Sequence, residues 1–479
     1  MTTPNNQSSR GFLSPLIYLS NNWISLAGVV IVTTFGILWL FLLPTTLRGA
    51  TDSPYVGILA YLALPAPFFV GLMLVPLGML WKRRRMKYAQ VYPLDFPELS
   101  WKNPELRRLV YFIGATTVVN IVIASQLTYG AVNYMDSVTF CGQTCHNVMQ
   151  PEFTAYQNSP HSKVECVKCH IGPGASWFVK SKMSGVGQVV AVTFNTYPRP
   201  IPTPVRNLRP ARETCEACHW PQKYGEDRVR VISKFADDEH NTLTKTVLLM
   251  KIGGGNRGIG IHGTHLGPGV HIRYAHSDGG RQDIPWVEYD GPTGKKVFAV
   301  SDAKTAGLPV REMDCMDCHN RPTHTYELPE RGLDRAMTAG LISPSLPFSK
   351  KQALAIIKAN YGSREEAAQR IPAAFAKAYQ DAYPAIWAER RAEVLASAQQ
   401  VLAVWNRNIF PEMKVTWGSY PNNLGHTDFP GCFRCHDGNH STTSKESITQ
   451  DCNACHSLLA MDETNPRILG DLGVVEAKH

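Results

Sequence analysis

The stretch Cys141-Gly-Gln-Thr-Cys-His146, followed by Cys166-Val-Lys-Cys-His170, introduces the pattern that organises the whole chain. All 12 cysteines fall into six pairs, and a histidine follows the second cysteine of every pair. Five pairs have the spacing C-x-x-C-H, and the first has one residue more. In c-type heme attachment the two thiols bind the heme vinyl groups and the adjacent histidine takes the fifth position on iron. The sequence therefore predicts six hemes c along one chain.

This prediction assigns a role to each paired cysteine and to each histidine that follows a pair. Attachment is assigned to Cys141 and Cys145, Cys166 and Cys169, Cys215 and Cys218, Cys315 and Cys318, Cys432 and Cys435, and Cys452 and Cys455. The proximal iron ligands are His146, His170, His219, His319, His436 and His456. Structural zinc also uses C-x-x-C, but it does not require a histidine directly after every pair. A disulfide framework fits equally poorly, because such tight pairs join nothing distant.

The first 135 residues form a predicted membrane anchor. Apolar runs at about residues 22–43, 55–81 and 109–129 are each long enough to cross about 30 Å of hydrocarbon. The second run contains Pro65, Pro67 and Pro76 and is expected to be kinked, which membrane helices tolerate. We interpret the first run as a retained anchor and not a secretory signal, since it begins late and lacks a small-x-small cleavage site.

Basic residues set the expected orientation of this anchor. Between residues 82 and 108 there are eight lysines and arginines against three acidic residues, whereas the loop between the first two runs has one of each. The positive-inside rule places the basic loop and the N-terminus in the cytoplasm. Everything after about residue 130 is then expected on the periplasmic face of a bacterial inner (cytoplasmic) membrane, which is the compartment where heme c is attached.

The net charge of +9 does not indicate nucleic-acid binding. The basic loop supplies five of these charges, and each heme would add two propionates to the part outside the membrane. The loaded outer part is therefore expected to be acidic, and the chain is predicted to bind a lipid bilayer and no nucleic acid.

The outer part divides according to its motifs. Residues 136–225 hold the first three motifs, and residues 226–305 lack cysteine and contain alternating stretches that predict a small β insertion. Residues 306–348 hold the fourth motif, and residues 411–479 hold the last two. Residues 349–410 predict a helical scaffold, with capping-box patterns beginning at Ser349 and Ser363. The predicted fold class is three transmembrane helices followed by a heme-packed, mainly α and coil periplasmic domain with one small β insertion.

Ten histidines lie outside the six motifs. Those close to a motif in sequence, which we predict as sixth ligands of iron without assigning each to the nearest heme, are His161, His324, His426 and His440. A second group lies in the β insertion, and one or two of its members are expected to bind iron: His262, His265, His271 and His276. Irons with two histidine ligands are closed to small molecules, so this supply of histidines favours electron transfer over catalysis at an open iron.

The first motif differs from the others. Its cysteines have an additional residue between them, and Met149 follows His146 by three residues. Cys141 lies eight residues beyond Asn133, at most about 26 Å even in a fully extended chain. Heme one is therefore expected at the membrane surface, where a lipid-soluble quinol can reach it. Met149 is either a ligand that raises the potential of heme one or an ordinary packing residue.

The order of motifs after the third apolar run resembles the NapC/NirT/NrfH family of membrane-anchored quinol dehydrogenases. The residues that carry the resemblance are Phe140 to Met149, Ser159-Pro-His161, Cys166 to His170, Tyr197-Pro198 and Glu213-Thr-Cys-Glu-Ala-Cys-His219. The resemblance covers about residues 110–220, so residues 136–225 are expected to form a triheme region of this kind. With three apolar runs and additional motifs, the chain is also similar, more loosely, to the ImcH type of inner-membrane multiheme cytochromes.

The resemblance implies quinol oxidation near heme one, with a methionine, a lysine and an acid beside the quinol. Met149 matches the methionine with one residue more in the spacing, and Lys180 or Lys182 matches the lysine. The place expected for the acid holds Gly187 or Gln188. Asp136 and Glu152 are therefore the substitutes that we consider as proton acceptors. Both lysines could instead be interfacial side chains that extend to the lipid headgroups.

Three functions follow from these observations. The leading hypothesis is a membrane-bound hexaheme cytochrome c that oxidises menaquinol or ubiquinol near heme one and passes electrons to a periplasmic cytochrome or another redox acceptor. The second is an electron-transfer subunit of a larger quinol-oxidising complex, although small residues such as Gly71 and Gly78 also suit packing among the chain's own helices. The third is a terminal reductase of a small oxyanion, which the histidine present in all six motifs argues against.

Overall fold

The computed structural model describes residues 13–47, 63–93, 101–144, 146–172, 175–205, 208–220, 225–254 and 259–473. The chain separates into two units. Unit 1 comprises Met1–Cys141 and Glu165–Gly185, and unit 2 comprises Gly142–Val164 and Val186–His479. The second motif, Cys166–His170, therefore groups with the anchor helices, whereas the sequence segments place it with the first and third motifs.

The helices are, in chain order, α1 (Leu13–Ser20), α2 (Trp23–Leu47), α3 (Pro65–Tyr88), α4 (Pro104–Asp136), α5 (His146–Gln157), α6 (Cys166–His170), α7 (Ala175–Thr193), α8 (Ala211–Cys215), α9 (Gly260–Leu266), α10 (Cys315–Cys318), α11 (Pro329–Thr338), α12 (Ser349–Ile357), α13 (Arg364–Ala382), α14 (Pro384–Asn408), α15 (Cys452–Cys455) and α16 (Arg467–Asp471). The strands are β1 (Arg228–Phe235), β2 (Leu243–Met250), β3 (His271–Ala275), β4 (Trp286–Gly291), β5 (Gly294–Val300), β6 (Val310–Glu312), β7 (His440–Ser441) and β8 (His456–Glu463). A π-helical turn covers Phe140–Thr144, and 3-10 turns cover Pro411–Met413 and Gly431–Arg434.

The anchor contains, among its described residues, two helices that are long and apolar enough to cross a membrane. These are α3 and the part Leu106–Ile123 of α4. The helices α1 and α2 form a bent pair, with 99° between Ser14–Ser20 and Trp23–Trp39, and the pair could be a third crossing. The beginning of the second predicted run, residues 55–62, lies outside the described residues. The protein is therefore membrane-associated through two or three apolar helical segments.

The helices α2 and α3 pack closely through small residues. A Cβ atom added to Gly28 would lie 2.9 Å from the Gly71 carbonyl oxygen, and one added to Gly78 would lie 2.6 Å from the Ser25 backbone nitrogen. The Ser25 hydroxyl donates to the Val75 carbonyl at 2.9 Å. Membrane helices associate through such contacts because little hydrophobic force acts between them in lipid. The prediction that Gly71 and Gly78 suit packing among the chain's own helices is confirmed.

Strands form within the predicted β insertion, but both sheets are completed by strands from outside it. The first sheet has the order β1-β2-β8, and all its pairs are antiparallel. The second has the order β6-β3-β4-β5-β7 and is also antiparallel. Because β8 begins at His456, the histidine of the sixth motif is attached directly to the first sheet.

The helices α11 to α14 surround the main apolar core of unit 2. Leu333, Phe375 and Trp405 are almost fully buried in it. Ser363 caps α13 as predicted, since its hydroxyl accepts from the Glu366 backbone N–H at 3.1 Å. The capping role predicted for Ser349 is wrong, because α12 begins at Ser349 itself and its hydroxyl donates to the Ser343 carbonyl at 3.0 Å.

Candidate heme sites

The third, fourth and fifth motifs each fold as a single helical turn. The backbone N–H of the motif histidine donates to the carbonyl of the first cysteine in each: His219 to Cys215 at 2.8 Å, His319 to Cys315 at 2.8 Å, and His436 to Cys432 at 3.1 Å. Residues three and four apart share one side of such a turn, so both thiols and the imidazole are presented together. This arrangement suits the two vinyl groups and the iron of one heme c.

The turn of the fourth motif is fixed by Asp317, which lies between its two cysteines. The Asp317 carboxylate is 2% exposed and accepts from the Tyr274 hydroxyl at 2.5 Å, from Arg311 at 3.2 Å and from the Asp314 backbone N–H at 2.7 Å. Burial, together with the neighbouring carboxylate, raises the pKa of Tyr274. A buried charge with this many donors is well satisfied, so the turn is held rigidly beside β3 and β6.

Four motif histidines each face a second histidine across a gap of constant size. The ring centroids are 6.0 Å apart for His161 and His219, 6.3 Å for His262 and His319, 5.9 Å for His265 and His436, and 6.2 Å for His426 and His456. A metal–imidazole bond is about 2.0 Å long, so two imidazoles on opposite sides of one metal place their ring centroids about 6 Å apart. Each of these pairs therefore fits one iron between its rings.

Hydrogen bonds orient several of these rings as they do in metal sites. The Nδ1 atom lies 3.2 Å from the Pro322 carbonyl in His161, 2.7 Å from the Ile261 carbonyl in His265, and 2.7 Å from the Thr449 carbonyl in His436. A ligating histidine usually donates its second ring nitrogen to such an acceptor, which fixes the ring and leaves Nε2 for the metal. His324 is held in the same manner, with Nδ1 2.9 Å from the Glu152 carbonyl.

Three other histidines predicted as possible ligands are placed differently. Both ring nitrogens of His440 are engaged, since Nδ1 lies 2.8 Å from Asp437 Oδ1 and Nε2 lies 2.6 Å from the Ile284 carbonyl. This geometry argues against the ligand role predicted for His440, because neither nitrogen remains for iron. His271 is exposed and bonded to Glu312 at 2.8 Å, and His276 lies with Nδ1 2.8 Å from the Asp278 carbonyl.

The helix α9, which carries both His262 and His265, is positioned by two glycines. A Cβ atom at Gly253, where φ is +61°, would lie 1.9 Å from the Ile259 carbonyl oxygen. One at Gly260, where φ is +72°, would lie 2.6 Å from the Gly253 Cα atom. The His262 backbone N–H then donates to the Ile252 carbonyl at 2.8 Å. Only glycine allows this approach, and sequence reasoning missed it because a glycine's required conformation depends on the fold around it.

Neighbouring attachment sites adjoin within each unit. In unit 1 the thiol of Cys141 hydrogen-bonds Cys166 and lowers the pKa of Cys166 to about 7. In unit 2 Cys215 does the same to Cys315 and lowers its pKa. Arg434 of the fifth motif donates to the Asp317 carbonyl of the fourth at 2.5 Å. Cys141 of the first motif and Cys166 of the second are therefore adjacent in unit 1, and sites three, four and five follow one another in unit 2.

The residues expected around heme one are described only in part. Cys145 and the side chains of His146, Lys180 and Lys182 lie outside the described residues. Met149 follows His146 by three residues on α5, and residues three apart share one helix face. Asp136 is the last residue of α4, and Gln188 is exposed on α7.

Glu152 lies in a buried polar cluster of unit 2 with Arg321 and Tyr326. Burial raises the pKa of Glu152, and the nearby charge of Arg321 opposes that rise. The Arg321 guanidinium lies 3.9 Å from the ring centre of Tyr420, and its buried Nη2 has no hydrogen-bond partner among the described residues. Since Arg321 follows His319 by two residues, this nitrogen fits a carboxylate such as a heme propionate.

The helical turns, the imidazole pairs and the apolar helices together define a membrane-associated multiheme cytochrome c with heme c as its cofactor and electron transfer as its task. Residues 104–200 match the NapC/NirT cytochrome c family, N-terminal region. The chain is also 40% identical over 454 residues to the cytochrome c-type protein ImcH of Geobacter sulfurreducens, a match that covers 93% of this chain and 89% of that protein. The chain therefore belongs to this NapC/NirT-related family of c-type cytochromes. No solved structure matches it.

Proposed function

We propose that the protein is a hexaheme quinol dehydrogenase of the bacterial inner membrane, which oxidises menaquinol or ubiquinol near heme one and delivers the electrons to a periplasmic acceptor. The supporting observation is that α4, an apolar helix long enough to cross the membrane, ends at Asp136, five residues before Cys141. Heme c, when bound, supplies one-electron redox chemistry. Oxidation of one quinol releases two electrons and two protons, so the chain must also provide a proton acceptor.

Asp136 is the acceptor that we favour. It lies at the end of the helix that leads from the membrane to the first motif. Glu152 is the second choice, because Arg321 and Tyr326 already surround its carboxyl group in unit 2. Gln188 carries an amide that can hydrogen-bond a quinol but cannot accept its proton at neutral pH.

One lysine of α7 completes the proposed quinol site. Lys180 and Lys182 are two residues apart in the helix, which separates them by about 200° around its axis. We propose that one of these lysines contacts the quinol and that the other is an interfacial lysine. Met149 is proposed either as a ligand that raises the potential of heme one or as a packing residue.

The sites in unit 2 form the proposed relay. We assign His161 with His219 to heme three, His262 with His319 to heme four, His265 with His436 to heme five, and His426 with His456 to heme six. His324 is proposed as a further sixth ligand, with its Nδ1 held by the Glu152 carbonyl. Two histidines on each iron exclude small substrates, which favours electron transfer over reduction of an oxyanion.

The proposed orientation places the N-terminus in the cytoplasm and the heme-binding part in the periplasm. Five basic residues lie from Lys82 to Lys87 in the last part of α3, and Arg107 and Arg108 lie near the start of α4. Both helices therefore have their basic ends on the same side of the membrane, which the positive-inside rule makes cytoplasmic. The opposite end of α4 then faces the periplasm together with the first motif.

Rapid mixing of the oxidised full-length protein in liposomes with menaquinol tests this function. The heme α-band should appear rapidly in the wild type and at least tenfold more slowly in Asp136→Asn and in one of Lys180→Ala and Lys182→Ala. The other lysine variant is the matched control and should react at the wild-type rate. Absence of reduction by quinol, with normal reduction by dithionite, would overturn the proposal and favour electron entry from a protein partner.

A further inference from the structure

The four histidine pairs of unit 2 differ in the mutual orientation of their rings. The two ring planes are 75° apart for His161 and His219, 57° for His265 and His436, 47° for His262 and His319, and 24° for His426 and His456. The proposed site of heme three thus has nearly perpendicular imidazoles, and the proposed site of heme six has nearly parallel ones.

A single aromatic side chain lies face to face with His426. The ring of Phe433 is 4.3 Å from that of His426 between centroids, and the two planes are only 15° apart. Phe433 stands between the two cysteines of the fifth motif, whereas His426 faces the histidine of the sixth. It is 45% exposed, so its place is not explained by burial in an apolar core. The fifth motif thereby contacts the proposed sixth ligand of the next heme.

The backbone around this contact is held firmly. The Cys432 N–H donates to the Gly425 carbonyl at 2.9 Å, which closes the loop that carries His426. Arg331 of α11 donates to the two carboxylate oxygens of Asp428 in that loop at 3.0 and 3.1 Å. These contacts fix the backbone, so the freedom that remains to His426 is rotation of its imidazole about the side-chain bonds. In His161 and His265 a carbonyl at Nδ1 fixes it, and in His426 no hydrogen bond among the described residues does so.

We propose that Phe433 is a positioning residue that sets the ring plane of His426 and thereby keeps the axial imidazoles of heme six parallel. The inference rests on the ligand pair assigned to heme six, and it does not depend on quinol oxidation. Groups around a metal ligand commonly orient it and tune the metal. Parallel imidazole planes act on one iron dπ orbital and split it from its partner, whereas perpendicular planes leave the two nearly degenerate. Ferric heme six should therefore give a rhombic low-spin signal, and heme three a highly anisotropic one.

Electron paramagnetic resonance of the oxidised full-length protein tests the proposal. His426→Met should remove one rhombic low-spin signal and so identify heme six. Phe433→Leu should convert the same signal into a broader, more anisotropic one and raise the midpoint potential of that heme, while Phe433→Tyr should keep the wild-type spectrum. Met316→Leu alters the equivalent position of the fourth motif and is the matched control, expected to leave the heme-six signal unchanged. Phe433→Ile provides a second non-aromatic side chain if the leucine variant does not load its hemes fully.

The Phe433 variants test the positioning role, and His426→Met tests the ligand pair. A wild-type spectrum for both non-aromatic variants would overturn the positioning role while leaving the ligand pair in place. An unchanged spectrum for His426→Met would overturn the ligand pair and the positioning role with it. Neither result bears on reduction by quinol, which is measured independently by rapid mixing.

Discussion

The helical scaffold and the segment that carries α9 are held in place by different kinds of contact. In the scaffold, α11 to α14 enclose large side chains such as Leu333, Phe375 and Trp405, which are almost wholly removed from water. In the α9 segment, close backbone contact at Gly253 and Gly260 and hydrogen bonds to Lys251 and Ile252 determine the position. Side-chain packing can adjust by small shifts, but backbone atoms at van der Waals distance cannot. Damage to the scaffold should therefore lower stability, and damage at α9 should displace iron ligands.

The largest effect on heme ligation is expected from Gly253→Ala. The new Cβ atom would overlap the Ile259 carbonyl oxygen at 1.9 Å, and alanine disfavours the φ of +61°. Since α9 carries His262 and His265, both proposed ligands should be displaced together and two hemes should become high-spin. The absorption spectrum of the oxidised protein and its circular dichroism measure ligation and helix content separately.

Gly269→Ala is the matched control for this variant. Gly269 also has a positive φ, +71°, but a Cβ atom there would meet nothing within 4 Å. We therefore expect Gly269→Ala to lower the free energy of unfolding by about 1–2 kcal/mol through backbone strain alone. The spin state of the hemes should not change. Equal spectra for the two variants would show that the close contact at Gly253 does not position α9.

Trp405→Ala should lower the stability of the scaffold without changing heme ligation, the reverse of the effect expected for Gly253→Ala. Trp405 is 2% exposed, and removal of a buried tryptophan side chain costs about 3–5 kcal/mol of folding free energy. The midpoint of thermal unfolding should fall strongly, while the heme spectrum of the folded protein should stay as it is. Trp387 is only partly buried against the same core, so Trp387→Ala should lower the free energy of unfolding clearly less. A spin-state change in Trp405→Ala would contradict the separation of the two regions.

Single substitutions of the α9 histidines sharpen the comparison. Because His262 faces His319 and His265 faces His436, His262→Ala and His265→Ala should each open a different iron. Each variant should show high-spin character in one heme, and the double variant should show it in two. His271→Ala, in an exposed histidine bonded to Glu312, should leave the spectrum unchanged. The assignment fails if either single variant opens both irons or neither.

What the sequence could reveal about the heme sites depends on how local each feature is. Heme attachment depends on a local covalent spacing, so the six Cys-His motifs and their proximal ligands could be proposed from the chain alone. The proposed sixth ligands come from distant segments, so proximity to a motif in sequence identifies only some of them. His440 lies four residues from a motif histidine yet is bonded at both nitrogens, whereas His265 lies far from every motif and faces His436.

Long-range pairing limited the prediction of the fold in a similar manner. The alternating stretches of the β insertion coincide with β1, β2, β4 and β5. The strands β7 and β8, which join them from the C-terminal segment, follow two heme motifs and have no comparable local pattern. Helix α13 could be located from the capping pattern at Ser363, but the identical reasoning failed at Ser349, where Phe348 with φ +51° precedes the helix.

The smallest effect is expected where the scaffold relies on charge at its surface. Arg390 donates to Glu393 at 2.7 Å and lowers the pKa of Glu393 to about 2, from an ordinary value of 4.5. The contribution to stability is therefore complete above pH 4.5 and is lost as the pH falls toward 2. The Glu393 side chain is 38% exposed, so solvent screening limits the contribution to at most about 1 kcal/mol.

Glu393→Gln should lower the midpoint of thermal unfolding slightly at pH 7, and the difference from the wild type should vanish as the pH approaches about 2. Glu389→Gln, at an exposed neighbour on the same helix, should show no such convergence. A constant difference across this pH range would mean that the two side chains interact through packing and not through charge.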